Sequence, residues 1–253
     1  MIKFFRHIRQ NLVMENKTSK YFKYAIGEIL LVVVGILIAL QINNWNENRK
    51  ERSLESASLL GIKAELQHTL KELNNDLEDM DRSYKATKDV LQYINEKPVV
   101  NDSMYVDFYD MTTFNYFFPK TSNYETLKSG GLNNIQSDSI RLLITEIYEA
   151  GYNRILFKQT TRRNGATLLF PYYQKHFRTT LGINTHQDAK PFSKRPIGVP
   201  TDYDHLINDA EFETLIIEAV AGRRNFLRDY ETTVALVEDC IGLIDSYLND
   251  ETN

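Results

Sequence analysis

Residues 25–42 read Ala-Ile-Gly-Glu-Ile-Leu-Leu-Val-Val-Val-Gly-Ile-Leu-Ile-Ala-Leu-Gln-Ile, and the twelve residues from Ile29 to Leu40 carry no polar side chain. Eighteen helical residues span ~27 Å at ~1.5 Å per residue, close to the ~30 Å thickness of a bilayer core. A helix that is apolar on every side is typical of a membrane span and not of the surface of a soluble domain. The stretch therefore predicts a transmembrane helix over residues 24–45.

The charges on either side of this helix predict its orientation. Residues 1–28 hold six basic and two acidic residues, a net charge of +4, whereas the remainder holds 24 basic and 32 acidic residues, a net charge of −8. Basic residues concentrate in segments that stay in the cytoplasm. We therefore expect a cytoplasmic N-terminus, with Trp45 at the far interface and residues 46–253 beyond the membrane. The acidic exported part argues against nucleic acid as a partner.

Residues 1–23 are predicted to form a basic amphipathic cytoplasmic segment. Phe4, Phe5 and Ile8 share one helical face, and the basic side chains lie away from it. Such a segment can lie on an anionic leaflet, although a basic flank that frays is the simpler alternative. A cleaved signal peptide is a further alternative. The long basic region and the lack of an Ala-x-Ala site in residues 41–45, directly after the apolar run, favour an uncleaved anchor.

Two features inside the span are candidates for function. Gly35 and Ala39 stand four residues apart, a spacing of small residues that lets helix backbones approach closely. Glu28 lies near the cytoplasmic end of the apolar run, where an acid can mark an ion path. Each feature has a simpler interpretation. Pairs of small residues such as Gly35 and Ala39 are common in membrane helices. A Glu28 at the membrane interface can reach water, and its negative charge is favourable near a helix N-terminus.

The exported part begins and ends with long helical patterns. Apolar residues, with a few residues that tolerate burial, recur at intervals of three and four positions. This is the 3.5-residue period of helices packed lengthwise. The recurring residues are Leu59, Ile62, Leu66, Leu70, Leu73, Leu77, Met80, Tyr84, Thr87, Leu91 and Ile94 near the start, and Phe212, Ile216, Val220, Arg223, Leu227, Tyr230, Val234, Val237, Ile241, Ile244 and Leu248 near the end. Pro98 ends the first pattern, and Asp209 is a suitable N-cap for the second. We expect an antiparallel pair of long helices.

The middle of the chain predicts shorter helices. Ser122 and Glu125 fit a capping box at the start of one of them. A further helix begins at about Ser137, and Pro171 is expected to kink or end its continuation. Residues 179–207 contain several prolines and are predicted to be a long surface loop. The fold class is therefore all-α: an N-terminal transmembrane helix followed by an extended helical bundle with two long antiparallel helices.

Recognisable catalytic and cofactor motifs are missing from the sequence. It contains no GxGxxG, phosphate-binding loop, HExxH or CxxC, so we predict no catalytic residue, cofactor or metal. The histidines and aspartates at His186, Asp188, Asp202, Asp204 and His205 could ligate a metal, but loop aspartates more often cap turns. Tyr172, Tyr173 and His176 form a candidate pocket, although aromatic residues at helical spacing more often belong to a core.

Two stretches of the sequence carry a resemblance. The first is Met1-Ile-Lys-Phe-Phe-Arg-His-Ile-Arg-Gln with the span up to Asn-Asn-Trp-Asn-Glu47, and the second is Tyr124-Glu-Thr-Leu-Lys-Ser-Gly-Gly-Leu132. Both resemble stretches of an uncharacterised family of single-pass membrane proteins that is widespread in Bacteroidota. The second is similar to a Tyr-Glu-x-Leu-Lys-Ser-Ser-Gly pattern, with Gly130 in place of the second Ser. The resemblance implies a bacterial inner-membrane anchor and a periplasmic domain, and it implies no catalytic residues.

Three functions are compatible with these patterns. A non-enzymatic scaffold or envelope assembly factor, bound to the lipid bilayer and to a protein partner or a second copy of the chain, is favoured by the long heptad patterns. A periplasmic ligand sensor acting through a membrane partner is the second hypothesis. An ion-coupled membrane subunit that uses Glu28 is the third.

Overall fold

The computed structural model describes residues 18–160, 165–182 and 195–250. The chain divides into two compact units, Met1–Ser56 and Ala57–Asn253. The described residues are predominantly helical, which confirms the all-α fold class. Most of the predicted amphipathic segment at 1–23 lies outside the described residues.

One helix, α1, runs from Thr18 to Glu96 and contains both the predicted span and the first heptad pattern. It ends as predicted, because Lys97 adopts a positive φ of 50° and the residue before Pro98 is disfavoured in the helical region. Large apolar side chains of residues 29–40 are each 45–67% exposed. Among the described helices, α1 alone is long and apolar enough to cross a membrane.

The second unit contains the other elements of the described chain. They are α2 (Asp102–Asp110), α3 (Ser122–Gly130), a 3-10 turn (Leu132–Asn134), α4 (Asp138–Thr145), a π-helical turn (Glu146–Gly151), α5 (Tyr152–Thr160), α6 (Gly165–His176), β1 (Phe177–Leu181), β2 (Pro196–Pro200), α7 (Tyr203–Leu206) and α8 (Ala210–Asp250). The predicted cap of α8 is confirmed, since Asp209 Oδ1 accepts the backbone N–H of Glu211 at 2.9 Å.

Helices α1 and α8 are antiparallel, as expected. Lys63 on α1 forms an ion pair with Asp245 near the end of α8, whereas Tyr84 on α1 lines a cavity with Leu227. Every residue of the two predicted patterns is buried or half-buried. The 3.5-residue period therefore identified the buried faces of both helices.

Two apolar cores stabilise the second unit, and α8 contributes to both. Leu66, Ile144 and Tyr230 belong to the first, together with residues of α3 and the π-helical turn. Val90 and Phe212 belong to the second, together with residues of α2 and α6. The candidate site described below lies at the first core.

The predicted loop at 179–207 is wrong at both of its ends. Residues Phe177–Leu181 pair in antiparallel register with Pro196–Pro200, and α7 follows. The prolines suggested a loop because proline has no backbone N–H for the sheet. In a two-stranded ribbon, however, proline can occupy positions whose N–H would not pair with the other strand. Gly198 lets β2 approach α6, because a Cβ there would lie 2.7 Å from the Tyr173 hydroxyl. Pro171 does not end α6, which continues to His176.

Candidate functional site

The N-terminus of α3 is capped by a side chain from another helix. The helix begins at Ser122, but its N-cap residue makes no side-chain capping bond. Instead, buried Glu65 on α1 accepts the N–H of Asn123 at 2.8 Å and that of Tyr124 at 3.4 Å. The free N–H groups and the positive end of the helix dipole favour a carboxylate there. The predicted capping box, with Glu125 as its acid, is therefore wrong.

Tyr148 completes the environment of this carboxylate. Its hydroxyl donates to Glu65 Oε1 at 2.7 Å, and its ring stacks on that of Tyr124 with centroids 4.2 Å apart. Burial, and then the hydrogen bond to Glu65, raise the pKa of Tyr148 well above its usual value. Glu65 thus satisfies three donors at the junction of α1, α3 and the π-helical turn.

The next residue of the π-helical turn, Glu149, holds the exposed side of α3. One of its oxygens accepts the Tyr124 hydroxyl at 2.7 Å and the Lys128 ammonium at 2.6 Å. The hydrogen bonds from Lys128 and then from Tyr124 lower the pKa of Glu149, and Glu149 in turn raises the pKa of Lys128.

This geometry explains the Tyr124–Leu132 sequence pattern. Tyr124 and Lys128 lie one helical turn apart and therefore on one face, with the ammonium 5.7 Å from the Tyr124 ring centroid. Leu127 is buried on the core side. Gly131 follows the helix with a positive φ of 100°, which glycine adopts more readily than other residues. The side chains of this pattern therefore attach α3 to the π-helical turn and to the first core.

The π-helical turn positions Tyr148 and Glu149 for these two contacts. Single π-helical turns inside α-helices recur at functional sites. The turn also approaches α8 closely, because a Cβ on Gly151 would lie 3.3 Å from Thr233 Oγ1. Within this turn Tyr148 is buried and Glu149 is exposed, and both side chains contact Tyr124 of α3.

A second polar cluster holds the C-terminal end of α2. Arg223, the only charged member of the predicted α8 pattern, is buried and donates to the carbonyl oxygens of Met111 at 2.5 Å and Thr113 at 3.2 Å. The Ser83 hydroxyl donates to the carbonyl oxygen of Asp110 at 3.1 Å. A cation suits the negative end of a helix. Burial lowers the pKa of Arg223.

The candidate pocket residues pack against core aromatics. Tyr172 and Tyr173 are buried, and the Tyr172 ring stacks on His176 at 4.1 Å and on Phe212 at 5.1 Å. The Tyr172 hydroxyl donates to Asp209 at 2.5 Å. Tyr172 and Tyr173 belong to the second core, and His176 is half-buried beside Tyr172. The use of these three residues as a pocket stays a prediction.

The structure places the candidate residues of the span as follows. Glu28 is half-buried, and Gly35 and Ala39 are exposed. A Cβ on Gly35 would meet no atom within 4 Å, so the small-residue face remains open, and its role in helix packing stays a prediction. Within the described residues, no three His, Cys, Asp or Glu side chains are arranged to hold a metal. His186 and Asp188 lie outside them.

Sequence reasoning missed Glu65, although one signal for it was present. Glu65 follows Ile62 by three residues and precedes Thr69 by four, so it lies on the buried face of α1 that the heptad pattern defines. Its partner Asn123 is 58 residues further along the chain. An acid on a predicted buried face requires a partner, but the sequence does not say which one.

Comparison with known proteins places the chain in a family. It belongs to a family of unknown function (DUF6090), whose model matches residues 28–185. The match begins in the apolar stretch and takes in the Tyr124–Leu132 pattern, so the expected membership of an uncharacterised family is confirmed. No curated protein and no solved structure matches the chain.

Proposed function

We propose that this member of the family is a single-pass protein of a bacterial inner membrane, whose helical domain acts as a non-enzymatic scaffold or envelope assembly factor. The observation that carries the proposal is the exposure of the apolar stretch of α1. The proposal has two parts, an anchor in lipid and a surface for a protein partner.

Residues 29–40 are more stable in lipid than in water. Their large apolar side chains are 45–67% exposed, and each is about 2 kcal/mol less stable in water than in apolar surroundings. A helix satisfies its own backbone hydrogen bonds, so it can enter a bilayer. Trp45 follows the stretch and is 65% exposed, with the Arg49 guanidinium 5.6 Å from its ring centroid. Such a pair suits the headgroup region.

Charge supports one orientation of this anchor. The net charge of +4 in residues 1–28 favours a cytoplasmic N-terminus, and the net charge of −8 in the remainder accompanies the exported domain. We infer that the helical domain is periplasmic. The resemblance to membrane proteins of Bacteroidota supports a Gram-negative envelope.

Two exposed rings support a partner surface on the helical domain. Phe118 is 76% exposed and Phe157 is 70% exposed. Gln159 links their segments, since its side chain accepts the N–H of Phe117 at 3.0 Å and donates to the Phe117 carbonyl at 3.3 Å. Aromatic residues are enriched in protein interfaces. We infer that these two rings contact a protein partner.

The anchor can be tested with the only tryptophan of the chain, Trp45. In liposomes of the full chain, lipids brominated near the headgroup should quench its emission strongly. A reporter fused after Asn253 should be active only outside the cytoplasm. A full chain that stays dissolved without detergent, or a reporter active only in the cytosol, would contradict the anchor.

The partner surface can be tested with photo-crosslinking side chains in intact membranes. Probes at Phe118 and Phe157 should give the same adduct, whereas a probe at Val99, which is 89% exposed, should not. An adduct of twice the mass of the chain identifies a homo-oligomer. If neither phenylalanine gives an adduct that Val99 lacks, the scaffold proposal fails.

A specific cavity favours a second candidate, a ligand sensor. An open groove of about 570 Å³ lies between α1 and α8, within the size range of small-ligand sites. Ligand binding between helices can alter their packing and thereby signal to a membrane partner. Stabilisation of the full chain by a small ligand would distinguish this function from that of a scaffold.

A further inference from the structure

The groove between α1 and α8 has charged walls. Its polar lining comes from three residues of each helix: Asp81, Tyr84 and Lys88 on α1, and Arg224, Arg228 and Glu231 on α8. Buried Leu227 lies between the two arginines in sequence and supplies an apolar part of the lining. The groove thus offers charged groups around an apolar strip.

The antiparallel packing places four of the five charged groups at two ends of the groove, and Arg228 lies between these ends. Because residue numbers rise along α1 and fall along α8, Lys88 and Arg224 lie at one end, and Asp81 and Glu231 lie at the other. Seven residues separate the acid from the base on each helix, which corresponds to ~10.5 Å along the helix axis at ~1.5 Å per residue. One end of the groove is cationic and the other anionic.

The charged groups of the groove are open to a ligand. None of the five forms an ion pair with another described residue. Arg228 donates to the side chain of Asn225 at 3.2 Å, and Lys88 lies 5.7 Å from the Tyr84 ring centroid. Arg224 and Arg228 stand one turn apart on α8, where like charges destabilise a helix slightly and a bound anion would relieve the repulsion.

We propose that this groove binds a short peptide with free ends, about three residues long. Its carboxylate meets Arg224 and Lys88, since guanidinium groups bind carboxylates in bidentate fashion. Its ammonium group meets Asp81 and Glu231. An extended chain covers ~3.5 Å per residue, so three residues match the separation of the two ends. Such a peptide would be the ligand of the sensor that stands as the second candidate function.

Isothermal titration calorimetry of peptide binding to the full chain in a non-ionic detergent tests the proposal. Tri-alanine with free ends should bind, and acetylation of its amino end or amidation of its carboxyl end should each weaken binding about tenfold, the equivalent of one lost contact of ~1.4 kcal/mol. Di-alanine and penta-alanine should bind more weakly than tri-alanine. Failure of tri-alanine to bind, or equal binding of the peptide blocked at both ends, would overturn the proposal.

Paired variants assign the two ends of the groove. Lys88→Gln with Arg224→Gln should abolish the preference for a free carboxylate and keep that for a free amino group, and Asp81→Asn with Glu231→Gln should do the reverse. Arg154→Gln, an exposed arginine on α5, is the control and should bind as the unaltered chain does. If the control loses as much binding as the groove variants, the site is wrong. Loss of peptide binding would leave the crosslinking result at Phe118 unchanged, so the two proposals fail separately.

Discussion

The carboxylate of Glu65 on α1 accepts the backbone N–H of Asn123 in the first turn of α3 at a distance of 2.8 Å. A cap usually comes from the residue that precedes the helix. Here the cap comes from a helix 58 residues away, so the local start of α3 depends on tertiary packing.

Glu65→Ala is expected to destabilise the helical domain by about 3 kcal/mol, because it leaves the N–H groups of Asn123 and Tyr124 and the Tyr148 hydroxyl without their charged acceptor. For a domain of this size, the thermal midpoint should fall by about 6–12 °C. Circular dichroism of the full chain in detergent measures the midpoint. Glu65→Gln keeps one acceptor oxygen and should lose less, and exposed Glu78→Ala should change the midpoint little. Equal midpoints for Glu65→Ala and Glu78→Ala would contradict the capping role.

Arg223→Met should destabilise the domain by about 2 kcal/mol, since the carbonyl oxygens of Met111 and Thr113 lose their donor. Arg223→Lys keeps the positive charge, so its free energy of unfolding should lie between that of Arg223→Met and that of the unaltered chain. The neighbouring exposed residue provides the control, because Arg224→Met should stay within about 0.5 kcal/mol of the unaltered chain. Denaturant titration gives these values, and a harmless Arg223→Met would show that Arg223 does not hold the end of α2.

Stability should fall as the pH rises above 10, the usual pKa of tyrosine. Burial raises the pKa of Tyr148 and Tyr152 in the folded chain, so above that pH the unfolded chain releases protons that the folded chain keeps. The contribution is complete below pH 10 and is lost as the pH rises further. Tyrosinate absorbance and circular dichroism should therefore change together. Tyr148→Phe should reduce the slope. Ionisation of every tyrosine near pH 10 with no loss of helix would refute this.

Two glycines within helices should respond differently to alanine. A Cβ on Gly242 of α8 would meet no atom within 4 Å, so Gly242→Ala should stabilise the chain by up to about 1 kcal/mol through helix propensity. At Gly61 of α1, a Cβ would lie 3.0 Å from the Asn123 side chain. Gly61→Ala should gain less or lose stability. Equal gains at the two positions would show that α1 and α3 do not approach closely at Gly61.

The sequence predicts the parts of this fold that follow a local rule. The 3.5-residue period located the buried faces of α1 and α8, and Pro98 and Asp209 marked where one ends and the other begins. The β1–β2 hairpin was missed, because its prolines oppose a strand unless pairing tolerates them. The Glu65 cap was missed for a different reason: its two partners are distant in sequence, and only packing brings them together.

Helix α8 begins at Ala210, beyond the last residue of the family match, yet it contributes to both cores. An expressed fragment trimmed at residue 185 would therefore expose the apolar faces that α8 covers, and it should self-associate. The matched portion, residues 28–185, is thus smaller than the folding unit of this chain.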